Sequence, residues 1–561
     1  MRYISFVQII KASCCCYVVC ECFMFRETNR LPLAAIKKCS LCILFAMPIE
    51  IDAKQTKSKS SDPPLHYFNN AGASPSPDQV VDTIVDHLKL ECREGGYNAA
   101  NIISNRLDDV YNQVVRLINA KYTDEIALVE SATVAWTKIF YSLVDCILER
   151  GLKLVKETET STQSAMPIQR IILISHAEYA ANVAAIIKWS REQNSRHKDI
   201  IWKVFAIPST SRLTDDGSRL STGMVDVDFF RKLLLGTSHL YEYQDLCKTD
   251  TCTKILPPSY YEDKQKVNPN DIVLVCITHI PTNSGIVNPV NAIGREIHLF
   301  NERRSNVDNL PSILYLVDAC QSIGHIQVDV QSMFCHALAA TGRKYLRGPR
   351  GTGFLYVNMN VVNCINPIAV DHFAAPVTFE MITTNGKEDV VIDVNPRKGA
   401  KRFEYWESNI STRLGLGAAI TYCLDEIGMQ IIEKRIFSLG RKLREGLRTL
   451  DFVQIFHDNL WNGEEKYLLC GIVTFSIDGK ELSNVKELML CSNHDGSKSE
   501  LSHRFETSIV PSTSTPLDSG IMHAKELLRV SLSYFNSEAE IYLFLKKLQF
   551  VVCSSNKSFK L

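Results

Sequence analysis

The segment TGRKYLRGPRGTGFLYV, residues 341 to 357, sets a single lysine, Lys344, among glycines and arginines directly ahead of an apolar run. FCHALAATG before it and GTGFLYV after it both read as buried strands. A lysine fixed by tight turns between two core strands is costly to bury, because desolvation disfavours its ammonium form. A lysine kept partly as the neutral amine suits Schiff-base chemistry with a carbonyl compound. A nucleotide site is the first alternative, but GPRGTG has the spacing G-x-x-G-x-G. That matches neither the phosphate loop nor the dinucleotide fingerprint, and it precedes a strand instead of opening a helix. A solvated lysine in a β-turn remains open on this stretch alone. The wider sequence weighs for chemistry: VDACQSIGH, residues 317 to 325, gives Asp318 at the end of a buried run and Gln321 three residues later.

Holding Asp318, Gln321 and Lys344 around one site requires a stiff frame. RIILIS (170–175) precedes the helical YAANVAAIIKWSREQ, and DIVLVCIT (271–278) and ILYLVDA (313–319) are similar buried runs. Apolar β-branched runs alternating with helical patterns predict a mostly parallel α/β sheet. The runs lead into His176, His279 and Asp318, at or just past their carboxyl ends, where open α/β sheets bind ligands. Segments 208–220 and 240–268 are polar and irregular and read as loop insertions.

At 561 residues the chain exceeds one ordinary domain, so a large core with a smaller second domain is expected. Lys plus Arg and Asp plus Glu both number 62, which points neither to nucleic acid as a partner nor to an acidic disordered chain. Of 19 cysteines, seven crowd the first 47 residues and the others are scattered singly. The body has no CxxC pair with a matching CxxC or HxxxH, so no metal is expected, and scattered thiols point to a reducing, cytoplasmic setting. YISFVQIIKASCCCYVVCECFMF is apolar over about the length of a membrane span, yet Lys11 and Glu21 interrupt it. A membrane signal anchor, an organelle-targeting extension and translated sequence ahead of a start at Met47 all fit it. IDAKQTKSKSSDPP reads as a disordered linker, and the folded body, for which no membrane association is expected, begins near His66.

Together, CHALAATGRKYLRGPRGTGFL and VDACQSIGH resemble the signature of the class V aminotransferase family, which are fold type I pyridoxal-phosphate enzymes. TGRK followed by LRGPRGTGFLYV is similar to the cysteine desulfurase-like branch that includes isopenicillin N epimerase and the hercynylcysteine sulfoxide lyases. The resemblance implies an α/β fold whose large domain, residues 66–370, holds a mostly parallel seven-stranded sheet between helices. A smaller α+β C-terminal domain, residues 371–561, would follow, with residues 66–90 packing on it and residues 1–65 forming an N-terminal extension. The resemblance also implies pyridoxal 5'-phosphate as cofactor, a small amino acid as substrate and a homodimer.

The same resemblance gives each residue a role. Lys344 would hold the cofactor as a Schiff base and move the substrate's α-proton. Asp318 would keep the pyridine nitrogen protonated and the ring an electron sink, and Gln321 would hydrogen-bond the ring's phenolic oxygen. In ALVESATVAWTKIFYSL (127–143), Ser131, Ala132 and Thr133 open a helix whose amino terminus suits the phosphate, with Thr341 and Arg343 completing the cradle. Arg343 stands where desulfurases carry a histidine, and Tyr179 stands where they carry a ring-stacking histidine. On the substrate side, Arg529 in LLRVSLSYFNSEAEI matches an arginine that binds the α-carboxylate. Asn70 in YFNNAGASPSP, and His279 with Thr282 in THIPTNSG, match segments lining the same pocket. RFEYWESNISTRLGLGAA (402–419) matches a loop that reaches the partner subunit's phosphate. There Glu407 replaces a threonine, and its pairing with a cation such as Arg343 is expected.

Desulfurases take sulfur onto a mobile cysteine shortly before the carboxylate-binding arginine. The matching FETSIVPSTSTPLDSG (505–520) has Ser and Thr but no Cys, and Cys491 lies further back in a predicted helix. A β-elimination that cleaves the C–S bond of an S-substituted cysteine is therefore the expected reaction. Desulfuration, transamination, epimerisation and a cofactor-binding role without catalysis are the alternatives.

Overall fold

A computed structural model describes residues 63–554, apart from 159–166, 214–218, 238–266, 305–311, 385–386, 459–468, 493–499, 519–523 and 525. The extension through residue 62 and most of segment 240–268 lie outside the described residues. The body opens with β1 (Leu65–Tyr67), α1 (Asp78–Glu94), α2 (Ser104–Ile118), β2 (Ile126–Val129) and α3 (Ala132–Thr158). Next come β3 (Ile168–Ser175), α4 (Ala180–Arg196), β4 (Ile200–Ile207), β5 (Ser209–Leu213), β6 (Arg219–Val225), β7 (Ile272–Thr278) and α5 (Val290–Glu302). β8 (Leu314–Asp318), β9 (Ala337–Thr341) and β10 (Gly353–Val357) complete the main sheet.

That sheet has seven strands in the order β2-β10-β9-β8-β7-β3-β4. All neighbours are parallel except β10, which runs against both β2 and β9. Every residue of β7 (IVLVCIT) and β8 (LYLVD) is buried, as a sheet covered on both faces demands. Over it Trp136 and Phe140 of α3 stack, Phe140 meets Trp189 of α4 edge-on, and Trp189 in turn meets Trp202 of β4 edge-on. The α/β class with a mostly parallel seven-stranded sheet is thus as the sequence predicts.

Segment 208–220 departs from its reading as a loop. Ser211 pairs with Ser221 and Leu213 with Arg219 in the antiparallel hairpin β5–β6. Its sequence is short, polar and without alternation, so the backbone ladder that holds it leaves no periodic signal to find.

After a second hairpin, β11 (Val377–Thr384) with β12 (Lys387–Val394), the chain forms α6 (Ile410–Thr421) and α7 (Met429–Leu447). Strands β13 (Val453–Ile455) and β14 (Ile472–Ile477), helix α8 (Leu482–Leu490), strands β15 (Arg504–Glu506), β16 (Ser508–Pro511) and β17 (Glu526–Ser531), and α9 (Glu538–Ser554) follow. Four of these strands make an antiparallel sheet, β13-β14-β17-β16, whose Phe475 and Leu528 pack with Leu439 and Leu443 of α7 and Phe544 and Leu548 of α9. Phe68 belongs to this second core, and β1 pairs in parallel with β15, Leu65 opposite Arg504. Among the described residues no helix is long and apolar enough to cross a membrane.

Candidate active site

The carboxyl ends of β7, β8 and β9 and the amino terminus of α3 meet around a cleft. Ala132, Thr133, Tyr179, Thr282, Asp318, Gln321, Thr341, Arg343 and Lys344 line it, together with Cys320. Asp318 ends β8, opposite Thr278 of β7 and Ala339 of β9. Lys344 sits in the turn from β9 to β10, closed by the bonds Gly342 N to Thr352 O, 2.9 Å, and Gly348 N to Gly342 O, 2.8 Å. A Cβ at Gly324 would lie 2.4 Å from the amide nitrogen of Leu346, and its φ of 75° is left-handed. Glycine there lets the turn after Gln321 touch the turn that carries Lys344.

Burial drives the Lys344 amine below the ordinary lysine range. The Cys320 thiol hydrogen-bonded to it opposes that shift, and the nearby Arg343 and Arg529 cations reinforce it. The Asp318 carboxyl is raised by burial. Hydrogen bonds from Asn182 Nδ2 to Oδ2 (2.9 Å) and from the Cys320 amide to Oδ1 (2.9 Å), and the Lys344 charge, pull it back. A buried carboxylate of this kind is stabilised by a facing cation, and the protonated nitrogen of a pyridine ring is one.

Arg529 is 6% exposed, and burial pushes its guanidinium down to about 10, so it remains a cation at neutral pH. It donates from Nε to Ser508 Oγ (3.1 Å) and from Nη1 to Thr282 Oγ1 (2.7 Å). Thr282 Oγ1 also accepts from Gln321 Nε2 (3.1 Å), which ties the cofactor side of the cleft to the arginine. Among the described residues the guanidinium donates only to neutral oxygens, Ser508 Oγ and the Thr282 hydroxyl and carbonyl, so it can still take a carboxylate.

These residues fit pyridoxal phosphate. Gln321 Oε1 is buried without a partner and suits a ring hydroxyl. At the start of α3, Ser131 Oγ accepts from the Val134 amide (3.2 Å), while the earlier amides of Ala132 and Thr133 are the donors a helix leaves for an anion. Thr341 and the Arg343 cation border the same cleft. Tyr179 is 39% exposed at its wall, where its ring can cover a bound pyridine.

Two of the other predicted site residues stand behind the cleft wall. Asn70 is fully buried, donating to Ser531 O (2.8 Å) and accepting from Ser74 Oγ (2.8 Å), so it fastens the first strand's exit to β17. Its neighbour Ala71 offers the carbonyl that Gln321 Nε2 binds at 3.1 Å. The His279 amide donates to Asp318 O (2.9 Å), and its imidazole is buried. His176, expected at a shared strand-end site, is instead buried near the ion pair of His457 and Asp518 (3.0 Å). Glu407 is exposed and makes no ion pair among the described residues, while Arg343 donates to Gly72 O. Within one chain's described residues the expected pairing of Glu407 with Arg343 is not made, and Arg343 Nη1 donates to the backbone instead.

Burial also lowers the imidazoles of His279 and His336 to about 4 and that of His325 to about 3. Neutral in the folded state, they contribute stability that is complete above the unfolded value of 6.5 and is lost as pH falls toward those folded values. Denaturant unfolding followed from about pH 7 to about pH 4 should lose several kcal/mol over this window, and a flat profile would contradict the assignment.

A covalently competent lysine, an acid at a strand end and an anion-binding helix start, on a mostly parallel sheet, define a pyridoxal-phosphate enzyme of the fold type I architecture. The family model for class-V aminotransferases matches residues 258–544, more than half of the chain, and the chain belongs to this family. A probable cysteine desulfurase of Synechocystis sp. is 24% identical over 493 residues, covering 87% of this chain and 90% of that protein. The apo cysteine desulfurase of Thermococcus onnurineus NA1 superposes with a TM-score of 0.59 at 18% identity, over 87% of this chain and 94% of that one. The cystine C-S lyase C-DES, solved with its reaction product cysteine persulfide, gives 0.56 at 19% identity over 86% and 96%. The enzyme therefore depends on pyridoxal phosphate.

Proposed function

We propose that the enzyme is a carbon–sulfur lyase that removes the sulfur substituent of an S-substituted cysteine by β-elimination. Bound pyridoxal phosphate supplies an electron sink that makes the α-proton of the amino acid acidic. Lys344 would hold the cofactor until the substrate's amino group displaces it, and its freed Nζ would then take the α-proton; Asp318 would keep the ring nitrogen protonated, and Arg529 would clamp the α-carboxylate. The Cβ–S bond would then break, the sulfur leaving with its substituent and taking up a proton from Lys344, and the released 2-aminoacrylate would react with water to give pyruvate and ammonia.

The observation that carries this reading is the segment facing Arg529, where Ser508 Oγ accepts from the guanidinium and no cysteine occurs from residue 505 to 520. The segment is also pinned: Asn283 Nδ2 donates to Pro511 O (3.0 Å) and Asp518 pairs with His457. Cys491 caps α8, exposed, and its carbonyl accepts from Lys547 Nζ (2.6 Å), so it is engaged away from the cleft lining. The second reading, cysteine desulfuration, draws support from Cys320, which lines the cleft, and from the names of the relatives. Burial pushes the Cys320 thiol up, however, which disfavours the thiolate that sulfur capture needs.

Incubation with S-substituted cysteines should release pyruvate, and Cys491→Ser should leave that activity intact. Mass spectrometry after one turnover with cysteine should find no added sulfur on either thiol, and a persulfide on Cys320 or Cys491 would establish the desulfurase instead. Arg529→Ala should weaken substrate binding by about 2–5 kcal/mol, read as a rise in KM, because it removes a buried cation paired with a carboxylate.

We further infer a homodimer, acting in the cytoplasm in keeping with ten free cysteines among the described residues. The hairpin β11–β12 supports a second copy. Val377, Phe379 and Met381 face Val394, Ile392 and Val390 across the ladder, making an apolar patch on one face on which Phe379 is 72% exposed. Phe379→Ser combined with Ile392→Ser should shift the species seen by light scattering toward monomer.

A further inference from the structure

Glu178 is fully buried between β3 and α4, does not line the cleft, and has no part in the chemistry above. Four donors hold it. Oε2 accepts from Ser175 Oγ (2.6 Å) and the Thr278 amide (3.0 Å), and Oε1 accepts from Asn182 Nδ2 (2.8 Å) and Thr278 Oγ1 (2.5 Å). The Asn182 and Thr278 N–H groups can only donate, so both carboxyl oxygens are acceptors; burial raises this carboxyl, and the bonds from Asn182, Ser175 and Thr278 oppose that rise and favour its ionised form. The charge of Asp318 bears on it as a like charge and adds to the rise. A buried carboxylate set beside another is costly unless something outside the pair answers both.

Asn182 connects the two. The same Nδ2 that donates to Glu178 donates at 2.9 Å to Asp318 Oδ2, so its two hydrogens are divided between the carboxylates. Because Glu178 only accepts, it dictates which end of the Asn182 amide is turned toward Asp318. Thr278, gripped by Glu178 through both amide and hydroxyl, lies opposite Asp318 in the β7–β8 register and itself lines the cleft.

We propose that Glu178 and Asn182 are positioning residues: Asn182 fixes the Asp318 carboxylate toward the ring nitrogen, and the charge of Glu178 behind it helps keep that nitrogen protonated. This rests on the proposed cofactor site. The other titratable groups facing the network are Cys276 and Tyr315 from the sheet, whose thiol and hydroxyl burial pushes up and keeps neutral, and Cys320 and Lys344 across the cleft. With the ring nitrogen as the third member, two negative charges face one positive charge through an oriented amide, which answers the cost of burying both acids.

The test uses holoprotein loaded with ¹⁵N-labelled pyridoxal phosphate and follows the ring nitrogen by NMR across pH. Glu178→Gln and Asn182→Ala should each make that nitrogen lose its proton at least about one pH unit lower than in the wild type. kcat should fall about tenfold or more, with KM for the amino acid unchanged within about twofold, because the Arg529 clamp is untouched. The double variant should do little more than the stronger single one, since the two residues act in series. Ser175→Ala, which removes one neutral donor and no charge, should leave the titration near that of the wild type. If Glu178→Gln fails to fold, Asn182→Ala decides by the same signal. Folded variants whose ring nitrogen titrates as in the wild type overturn the proposal even if their rates fall. A wild-type chain that binds no labelled cofactor overturns the proposed site itself, and this inference with it.

Discussion

Lys344→Ala should yield folded protein that lacks the visible absorption of lysine-bound pyridoxal phosphate and whose turnover is lower by at least about 10⁴-fold. Two functions disappear with one amine: the covalent tether to the cofactor and the base that takes the α-proton, which alone is worth about 10²–10⁴. The substitution should cost little stability. Lys344 is 9% exposed, and burial already disfavours its charged form, so its removal relieves a desolvation penalty while leaving a small gap. Unfolding of the cofactor-free variant should therefore track that of the cofactor-free wild type within about 1–2 kcal/mol. A variant that keeps both the absorption and the turnover would disprove the assignment of Lys344.

Asp318→Asn should slow C–S cleavage by about 10²-fold or more, equivalent to several kcal/mol of barrier, while the protein still binds the cofactor. The native carboxylate accepts on both oxygens, from Cys320 N and from Asn182 Nδ2, both at 2.9 Å. An amide in its place puts an NH₂ against one of those donors and removes the charge that favours a protonated ring nitrogen. The rate loss should appear in kcat, and the KM for the amino acid should stay near its original value because Arg529 is unchanged. A near-normal rate would reduce Asp318 to a structural role.

The parts of this enzyme that were legible in the sequence are those whose neighbours are buried strands. Lys344 and Asp318 stood out because IVLVCIT, LYLVD and ALAAT can only be sheet interior, and polar residues at the ends of such runs have few bland explanations. Arg529, Thr282 and Tyr179 were legible only through family resemblance, since an arginine in LLRVS has no distinguishing local pattern. Glu178, Asn182 and Cys320 were not singled out. The meaning of Glu178 depends on β3 lying beside β7, which brings Thr278 to it from 100 residues away. Cys320 resembles any small core residue until its thiol is found against Lys344. The expected pairing of Glu407 with Arg343 is not made within one chain's described residues, because the distance between two loops is not written in either.

The pairing of β1 with β15 sets a timetable for synthesis. Leu65–Tyr67 leaves the ribosome early, but its partner Arg504–Glu506 is translated only near the end, roughly tens of seconds later at ordinary elongation rates. Until then Phe68 has no core to enter, because the Phe505 and Phe544 rings it packs against do not yet exist. Lys344 and Asp318 are likewise made before Arg529. The nascent chain thus carries an unpaired strand edge and an uncovered aromatic through most of its synthesis, the kind of surface that holding chaperones recognise. A ribosome that stalls before residue 504 leaves a product whose β1 has no partner strand.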